Sequence, residues 1–467
     1  MNEFGLLING RKVPGARTID VINPATGAVI TKAPCADAGQ LDVAVAAAKA
    51  AFPAWAALPV EARRKAIKGI ADGLMARLEE LAQLLTSEQG RPLQQAREEL
   101  GGCAYILQAL SALEFPNKVL KEDEKERVYV HRTPLGVVAA ITPWNFPISV
   151  LTLKIAPALV TGNTVIAKPA PTTPLTSLRF AEICAEHLPP GVFNIITDQN
   201  DLGGLLTRHP DVAKISFTGS TATGKKVMES AAGTLKRLTL ELGGNDPAIV
   251  LDDVNVPEVA PKIFAGAMLN SGQICMAIKR VYVHEKQYDL MCAELARLAN
   301  EAKVGNGMDP GVQYGPLQNR RQFDRVRELI ADSRKEGKII AGGEIGDGPG
   351  FFIRPTIVRD IPDSARLVRE EQFGPVLPVL PYTDLEDAIA RANDTDYGLA
   401  GSVWAKDVAR ASEVAVRIDS GVVWVNQYLT MHVDCSVGGS KQSGMGLELG
   451  VEGLQEFMQQ HVVYVAK

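Results

Sequence analysis

The sequence predicts an α/β chain of two domains, a parallel sheet covered by helices and then a second α/β unit, with strand-like arms belonging to neither. Three observations lead there. Short apolar runs alternate with helix-like stretches, the alternation occurs in two series, and 467 residues exceed what one hydrophobic core normally holds. Apolar residues make up 46% and charged residues 22%, the proportions of a folded globular protein. A net charge of -5, scattered along the chain, offers no basic stripe for nucleic acid and no polybasic patch for a membrane.

The elements follow in order. The opening "MNEFGLLINGRKVPG" lacks the basic head, apolar stretch and small-residue cleavage site of a signal peptide. Apolar runs such as "GVVAAIT" fall far short of the roughly 20 residues needed to cross a bilayer. A cytoplasmic protein free of membranes is expected. From Glu61 to Gln89, Ile67, Ile70, Leu74, Leu78, Leu81 and Leu85 step by three and four, which is one buried helical face. The pattern then turns to runs with strand character: "GVVAAIT" (136–142), "NTVIAK" (163–168), "VFNIIT" (192–197) and "AKISFTG" (213–219). Parallel sheets of this kind bind ligands beyond the carboxyl ends of their strands. A second series begins after Glu241 with "PAIVL", "IKRVYV", "GKIIAGG", "GPVLPVL", "GSVWA" and "GVVWVN", spaced by helical stretches such as Gln318 to Lys335. Two segments, "KEDEKERVYVHRTP" (121–134) and the terminal "QQHVVYVAK", read as extended arms, explained as edges paired with another subunit.

Cys35, Cys103, Cys184, Cys275, Cys292 and Cys435 include no C-x-x-C pair, and the histidines show no zinc-ligand spacing, so neither a metal site nor a disulfide framework is expected. Each cysteine is then a small core residue or a reactive thiol. Candidate chemistry collects at strand tails. Asn145, in "PWNFP" (143–147), either caps the following helix or aims a neutral N–H donor at a developing oxyanion. Lys168, in "AKPAPTTP", is a solvated charge or a contact for a nucleotide. "FTGSTATG" (217–224) is a plain helix start or a seat for a diphosphate. Glu241, just before two glycines that permit a tight turn, is a surface acid or a general base.

Taken together and in order, "VINPATGAVI", "TPWNFP", "AKPA", "FTGST", "LELGGNDP", "NSGQIC", "EEQFGPV" and "GGSKQSGMGLELG" resemble the aldehyde dehydrogenase superfamily over nearly the whole chain. The resemblance implies NAD(P)-dependent oxidation of an aldehyde to a carboxylic acid. It implies a Rossmann-like parallel-sheet cofactor domain (1–114 and 134–243), a second α/β catalytic domain (244–441) and a small β oligomerisation arm (115–133 and 442–467), in a homodimer or homotetramer. It makes Cys275 the nucleophile, Asn145 the oxyanion-hole side chain and Glu241 the general base. An aldehyde hydrogen leaves as hydride only after a thiolate has added to the carbonyl, so the chemistry requires such a sulfur.

By the same resemblance Thr142, Trp144, Lys168, Gly219, Ser220, Glu371 and Phe373 hold NAD or NADP, with NAD slightly favoured. Lys154 and Glu448 form a proton path, for which a structural ion pair is the equal alternative. The substrate pocket comprises Phe146, Ser149, Leu153, Ile274, Met276, Met431, His432 and Val437. Three departures stand out: Pro171 where NAD-preferring members carry a glutamate, "DQNDLGG" where relatives show Gly-x-Gly, and Ser436-Val437 where the family has Pro-Phe. With no arginine among the pocket positions, a medium aliphatic or aromatic aldehyde is expected over a charged semialdehyde. The rivals are a semialdehyde dehydrogenase of the same family, an acyl-CoA-forming relative, a thiol hydrolase or acyltransferase pairing Cys275 with His432, and a binding protein that keeps the fold without activity.

Overall fold

The computed structural model describes residues 3–346 and 348–467. Five parallel strands form the centre of the first sheet, in the order Phe193–Ile195, Thr164–Lys168, Val137–Ile141, Val212–Thr218 and Arg237–Glu241. Antiparallel strands extend it at both edges: Leu6–Ile8 and Arg11–Val13 on one side, Gly444–Met445 on the other. Strands 137–141 and 164–168 are buried at every position, as a sheet covered on both faces requires.

The apolar stripe from Glu61 to Gln89 is divided. Helices Val60–Ala76 and Leu78–Gln89 meet at Arg77, whose backbone (φ -109, ψ 17) leaves the helical region. Ile67, Ile70, Leu74, Leu81 and Leu85 are nevertheless all buried in one core with the strands, because the stripe continues across the break.

The second sheet runs Lys338–Ala341, Thr356–Arg359, Val376–Tyr382, Ile278–His284, Asp246–Val250, Ala400–Trp404 and Val422–Val425, parallel throughout except for its first pair. The link from strand 237–241 to strand 246–250 is only residues 242–245. The chain therefore passes from the carboxyl edge of the first sheet straight to the amino edge of the second. The candidate residues lie at strand tails in the first sheet alone, since Cys275 and Glu371 precede the strands at 278 and 376.

The two arms pair with each other. Met458–Ala466 runs antiparallel to Glu126–Pro134, which also pairs with Lys118–Glu122, giving a three-stranded sheet that carries exposed Val119, Leu120, Val462 and Tyr464. Residues 444–445, by contrast, pair with strand 237–241 of the first sheet. No helix among the described residues is long and apolar enough to cross a membrane.

Candidate active site

Cys275 follows a turn that the backbone does not adopt freely. Asn270 (φ 50), Ser271 (φ 56) and Gly272 (φ 72) are all left-handed, a conformation that costs about 1–2 kcal/mol at each of the two residues bearing a Cβ. Buried hydrogen bonds offset it. Ser271 Oγ donates to Gly315 O (2.8 Å), Gln273 Nε2 to Asn270 O (2.9 Å), and Gln318 N to Gln273 Oε1 (2.8 Å). Gly272 must be glycine for space as well, because a Cβ would overlap the Gly374 carbonyl. Buried Lys279 closes the turn, its Nζ donating to the carbonyls of Ile274 (3.0 Å), Cys275 and Ala277 (3.3 Å). Among the described residues the Cys275 N–H meets no acceptor. The thiol is half-buried, whereas Cys35, Cys103, Cys184 and Cys292 are buried and Cys435 is exposed.

Asn145 does not cap the helix Pro147–Val160. That helix starts at Phe146 without a side-chain cap, while Asn145 Nδ2 donates across the cleft to Gln273 O (2.9 Å), two residues before Cys275. One N–H of the amide remains. The Asn145 carbonyl accepts from Asn270 Nδ2 (3.2 Å) and from Arg91 Nη2. Arg91 is itself buried, ion-paired with buried Glu99, bonded to Gln89 Oε1 (2.9 Å) and stacked 4.2 Å from the centre of the Phe146 ring. Glu99 Oε1 in turn accepts from Ser149 N (3.0 Å). Sequence reading passed over Arg91, Glu99, Gln273 and Lys279, since a lone Arg or Glu in a helical region reads as surface charge.

Glu241 is buried, not a surface acid, and its Oε1 has no hydrogen-bond partner among the described residues. Burial pushes its carboxyl well above the usual range; the Glu448 charge adds to this and Lys154 opposes it. Lys154 is fully buried and pairs with Glu448 (2.9 Å) while reaching Ser216 Oγ (3.2 Å). The Cys275 thiol is pushed up to about 12 by burial, with Lys279 pulling it down and Glu241, Glu371 and Asp246 pushing further. The two glycines after Glu241 have no left-handed φ and serve close approach instead of a tight turn: a Cβ on Gly243 would overlap the Glu371 carboxylate, and one on Gly244 would lie 2.7 Å from Cys275 O. Gly244 N donates to Glu371 Oε1 (3.0 Å).

The positions expected to hold a nucleotide line the carboxyl edge of the first sheet. The hydroxyls of Thr142 and Thr218 are buried there without partners. Ser220 caps the helix Thr221–Ala231 through Thr223 N (3.3 Å), and Gly219 leaves room for the Phe217 ring. Lys168 is buried and pairs with Asp198 (2.6 Å), so it is not a solvated charge. Across the cleft Phe373 (φ 47) meets Trp144 edge to face, with ring centres 5.3 Å apart. Orphaned hydroxyls, a helix N-terminus and a facing acid at Glu371 suit a dinucleotide with its ribose and diphosphate groups.

The expected pocket is divided. Phe146, Ile274 and Met276 pack with Cys275 in one apolar cluster, which also holds Trp424, Tyr428 and Leu429. Leu153 and Val437 pack instead against the core of the first domain, and Ser149 is half-buried. Met431 and His432 are exposed and lie outside the cluster that packs around Cys275. Trp424 and Tyr428, whose rings lie 4.7 Å apart, were missed although "WVNQYL" (424–429) closes one strand-like run and carries two aromatics.

Two α/β sheets sharing one cleft, with a half-buried thiol opposite a dinucleotide-shaped edge, define an oxidoreductase fold. A model of the Aldehyde dehydrogenase family matches residues 12–463, and the chain belongs to that family. It is 38% identical to an aldehyde dehydrogenase from a Fusarium species, over 99% of both chains. It is 36% identical to the NADP(+) succinate-semialdehyde dehydrogenase of Escherichia coli K12, over 97% of this chain and 96% of that one. The crystal structure of lactaldehyde dehydrogenase from Escherichia coli superposes with a TM-score of 0.96 at 34% identity, covering 99% of each chain. This chain is an enzyme of the aldehyde dehydrogenase family.

Proposed function

We propose that the chain oxidises a neutral, medium-sized aliphatic or aromatic aldehyde to its carboxylic acid with NAD(P)+, through a covalent cysteine intermediate. The convergence of three groups on one junction carries this reading: Asn145 bonds two residues from Cys275, and the buried Glu241 carboxyl lies close enough for its charge to reach the thiol. Sulfur of Cys275 adds to the carbonyl, and the new oxyanion accepts from the spare Asn145 N–H and the free Cys275 N–H, an arrangement in which one donor supplies about 3 kcal/mol. The bound nicotinamide supplies a hydride acceptor. Glu241 then takes a proton from the water that attacks the thioester, and the Lys154–Glu448 pair carries it onward.

The cluster around Cys275 supports a neutral substrate. Arg91, stacked on the Phe146 ring of that cluster, spends its charge on Glu99, Gln89 and the Asn145 carbonyl and not on a substrate carboxylate. The exposed position of His432 speaks against a hydrolytic Cys–His pair. The three-stranded arm, with its exposed apolar residues, is taken as the surface through which a cytoplasmic homodimer or homotetramer forms.

A panel of neutral aldehydes and semialdehydes, assayed for reduced-nicotinamide absorbance with Cys275→Ala as the blank, tests this. Aldehyde-dependent reduction lost in the variant is expected, with neutral aldehydes preferred. Undiminished turnover in the variant, or equal rates with succinic semialdehyde and a neutral aldehyde of similar length, would refute the mechanism or the substrate class respectively.

A further inference from the structure

Two buried charged groups beside the Cys275 peptide have no part in the chemistry proposed above. Strands 246–250 and 278–284 run parallel with Asp246 opposite Ile278, so Asp246 and Lys279 open neighbouring strands. Lys279 is buried, and its Nζ donates to the carbonyls of Ile274, Cys275 and Ala277, while the carboxylate that faces it, Glu371, stands off at 3.9 Å. A neutral donor would tie this turn as well. An ammonium there adds a positive charge that no directly bonded carboxylate cancels. Asp246 is buried too. Its Oδ2 accepts from Tyr428 Oη (3.2 Å), and the Tyr428 ring packs in the Cys275 cluster. Its Oδ1 has no hydrogen-bond partner among the described residues. A Cβ on Gly244 would lie 2.7 Å from both that oxygen and Cys275 O, so acid and cysteine flank one glycine.

We propose that Lys279 and Asp246 are positioning residues that set the charge felt by the Cys275 sulfur: the lysine holds a fixed positive charge that favours the thiolate, and the acid, once ionised, offsets it. This rests on the reading of Cys275 as the nucleophile. Lys279 favours ionisation of the thiol, Glu241, Glu371 and Asp246 oppose it, and the Tyr428 hydroxyl stands alongside. Burial pushes Asp246 up to about 7, with Lys279 opposing, so the acid is neutral at low pH and charged above neutrality. Its restraint on the thiolate therefore comes on as pH rises through about 7. The alternative is that Lys279 only closes the turn and Asp246 only anchors Tyr428. Glutamine keeps a donor at the first position, and asparagine keeps an acceptor at the second, so both substitutions remove charge and spare the hydrogen bonding.

Alkylation of the full-length protein by iodoacetamide, an uncharged reagent, reads the sulfur directly when followed from mildly acid to alkaline pH by mass spectrometry of the Cys275 peptide. A nearby opposite charge moves a pKa by about 1–3 units, and each unit changes the rate only about threefold, because a less basic sulfur is also a weaker nucleophile. Lys279→Gln and Lys279→Met should therefore each slow alkylation at least about threefold. Asp246→Asn should act in the opposite sense: about threefold faster above neutrality and equal to the native protein in acid, the ratio stepping up through about pH 7. A ratio flat with pH for Asp246→Asn, slower alkylation of that variant above neutrality, or native or faster rates in the lysine variants overturns the proposal. Asp246→Asn alone decides it if the lysine variants do not fold. Turnover retained by Cys275→Ala is a separate outcome, which overturns the nucleophile reading itself.

Discussion

Replacing Arg91 by methionine tests whether the cleft is held from behind. Arg91 and Glu99 are both about 2% exposed, and Arg91 supports the Asn145 carbonyl and the Phe146 ring at once. Removing one partner of a buried pair leaves an uncompensated charge and costs about 3–5 kcal/mol. For cooperative unfolding of 467 residues at about 2.1 cal/mol/K per residue, that is a fall in Tm of about 3–5 °C. Burial already raises the Glu99 carboxyl, with Arg91 the chief counterweight, so loss of Arg91 raises it further. A carboxyl raised in the folded state binds more protons there than when unfolded, so its penalty grows as pH rises from the ordinary carboxylate range through the folded value. The deficit of Arg91→Met is therefore smallest at acid pH, and Glu99→Gln in the same chain should recover part of it. Because Asn145 loses its support without being removed, kcat should fall by about ten- to a hundredfold with little change in KM. Thermal melts across pH, with steady-state kinetics on the single and double variants, decide it. A melt within 1 °C of the native protein at neutral pH together with undiminished kcat would refute the reasoning.

Other expectations follow from the same geometry. Asn145→Ala should lower kcat by about 10²–10³-fold, measured with a saturating neutral aldehyde. Since Glu241 is raised well above the carboxylate range, its base form appears only as pH rises, so kcat should climb with pH; Glu448→Gln, removing a charge that raises Glu241, should move that limb to lower pH, and Lys154→Met to higher pH. With its thiol pushed up to about 12, Cys275 of the nucleotide-free protein should be alkylated ever faster as pH rises past 9, and Glu241→Gln should speed alkylation at alkaline pH, where Glu241 is ionised, as followed by peptide mass spectrometry. Gly272→Ala, which places a Cβ against the Gly374 carbonyl at φ 72, should lower Tm and slow turnover together.

The parallel strands were legible because burial on both faces demands unbroken apolar runs, and "GVVAAIT" and "NTVIAK" became strands 137–141 and 164–168 within a residue or two. The division of the 61–89 stripe at Arg77 was not, since an apolar face continues in register across a break that only backbone angles reveal. Cys275, Asn145 and Glu241 were singled out from ordered motifs; in the structure Asn145 bonds to the turn before Cys275, and the Glu241 charge reaches the thiol. What surrounds them did not emerge: Arg91 lies 54 residues from Asn145 and Glu99 lies 50 from Ser149. Charges that meet only after folding carry no local pattern. The apolar cluster was legible only in part: Phe146, Ile274 and Met276 pack with Cys275, while Trp424, on strand 422–425, and Tyr428, just past it, join them only once the chain has folded.

The four-residue link at 242–245 acts as a tether between the halves of the enzyme. From Glu241 to Asp246 it spans five residue steps, which even when fully drawn out reach only about 17 Å. However the two sheets rock, they cannot gape apart at that seam. An added residue there would lengthen the leash between the Glu241 carboxyl and the Cys275 sulfur without touching either group.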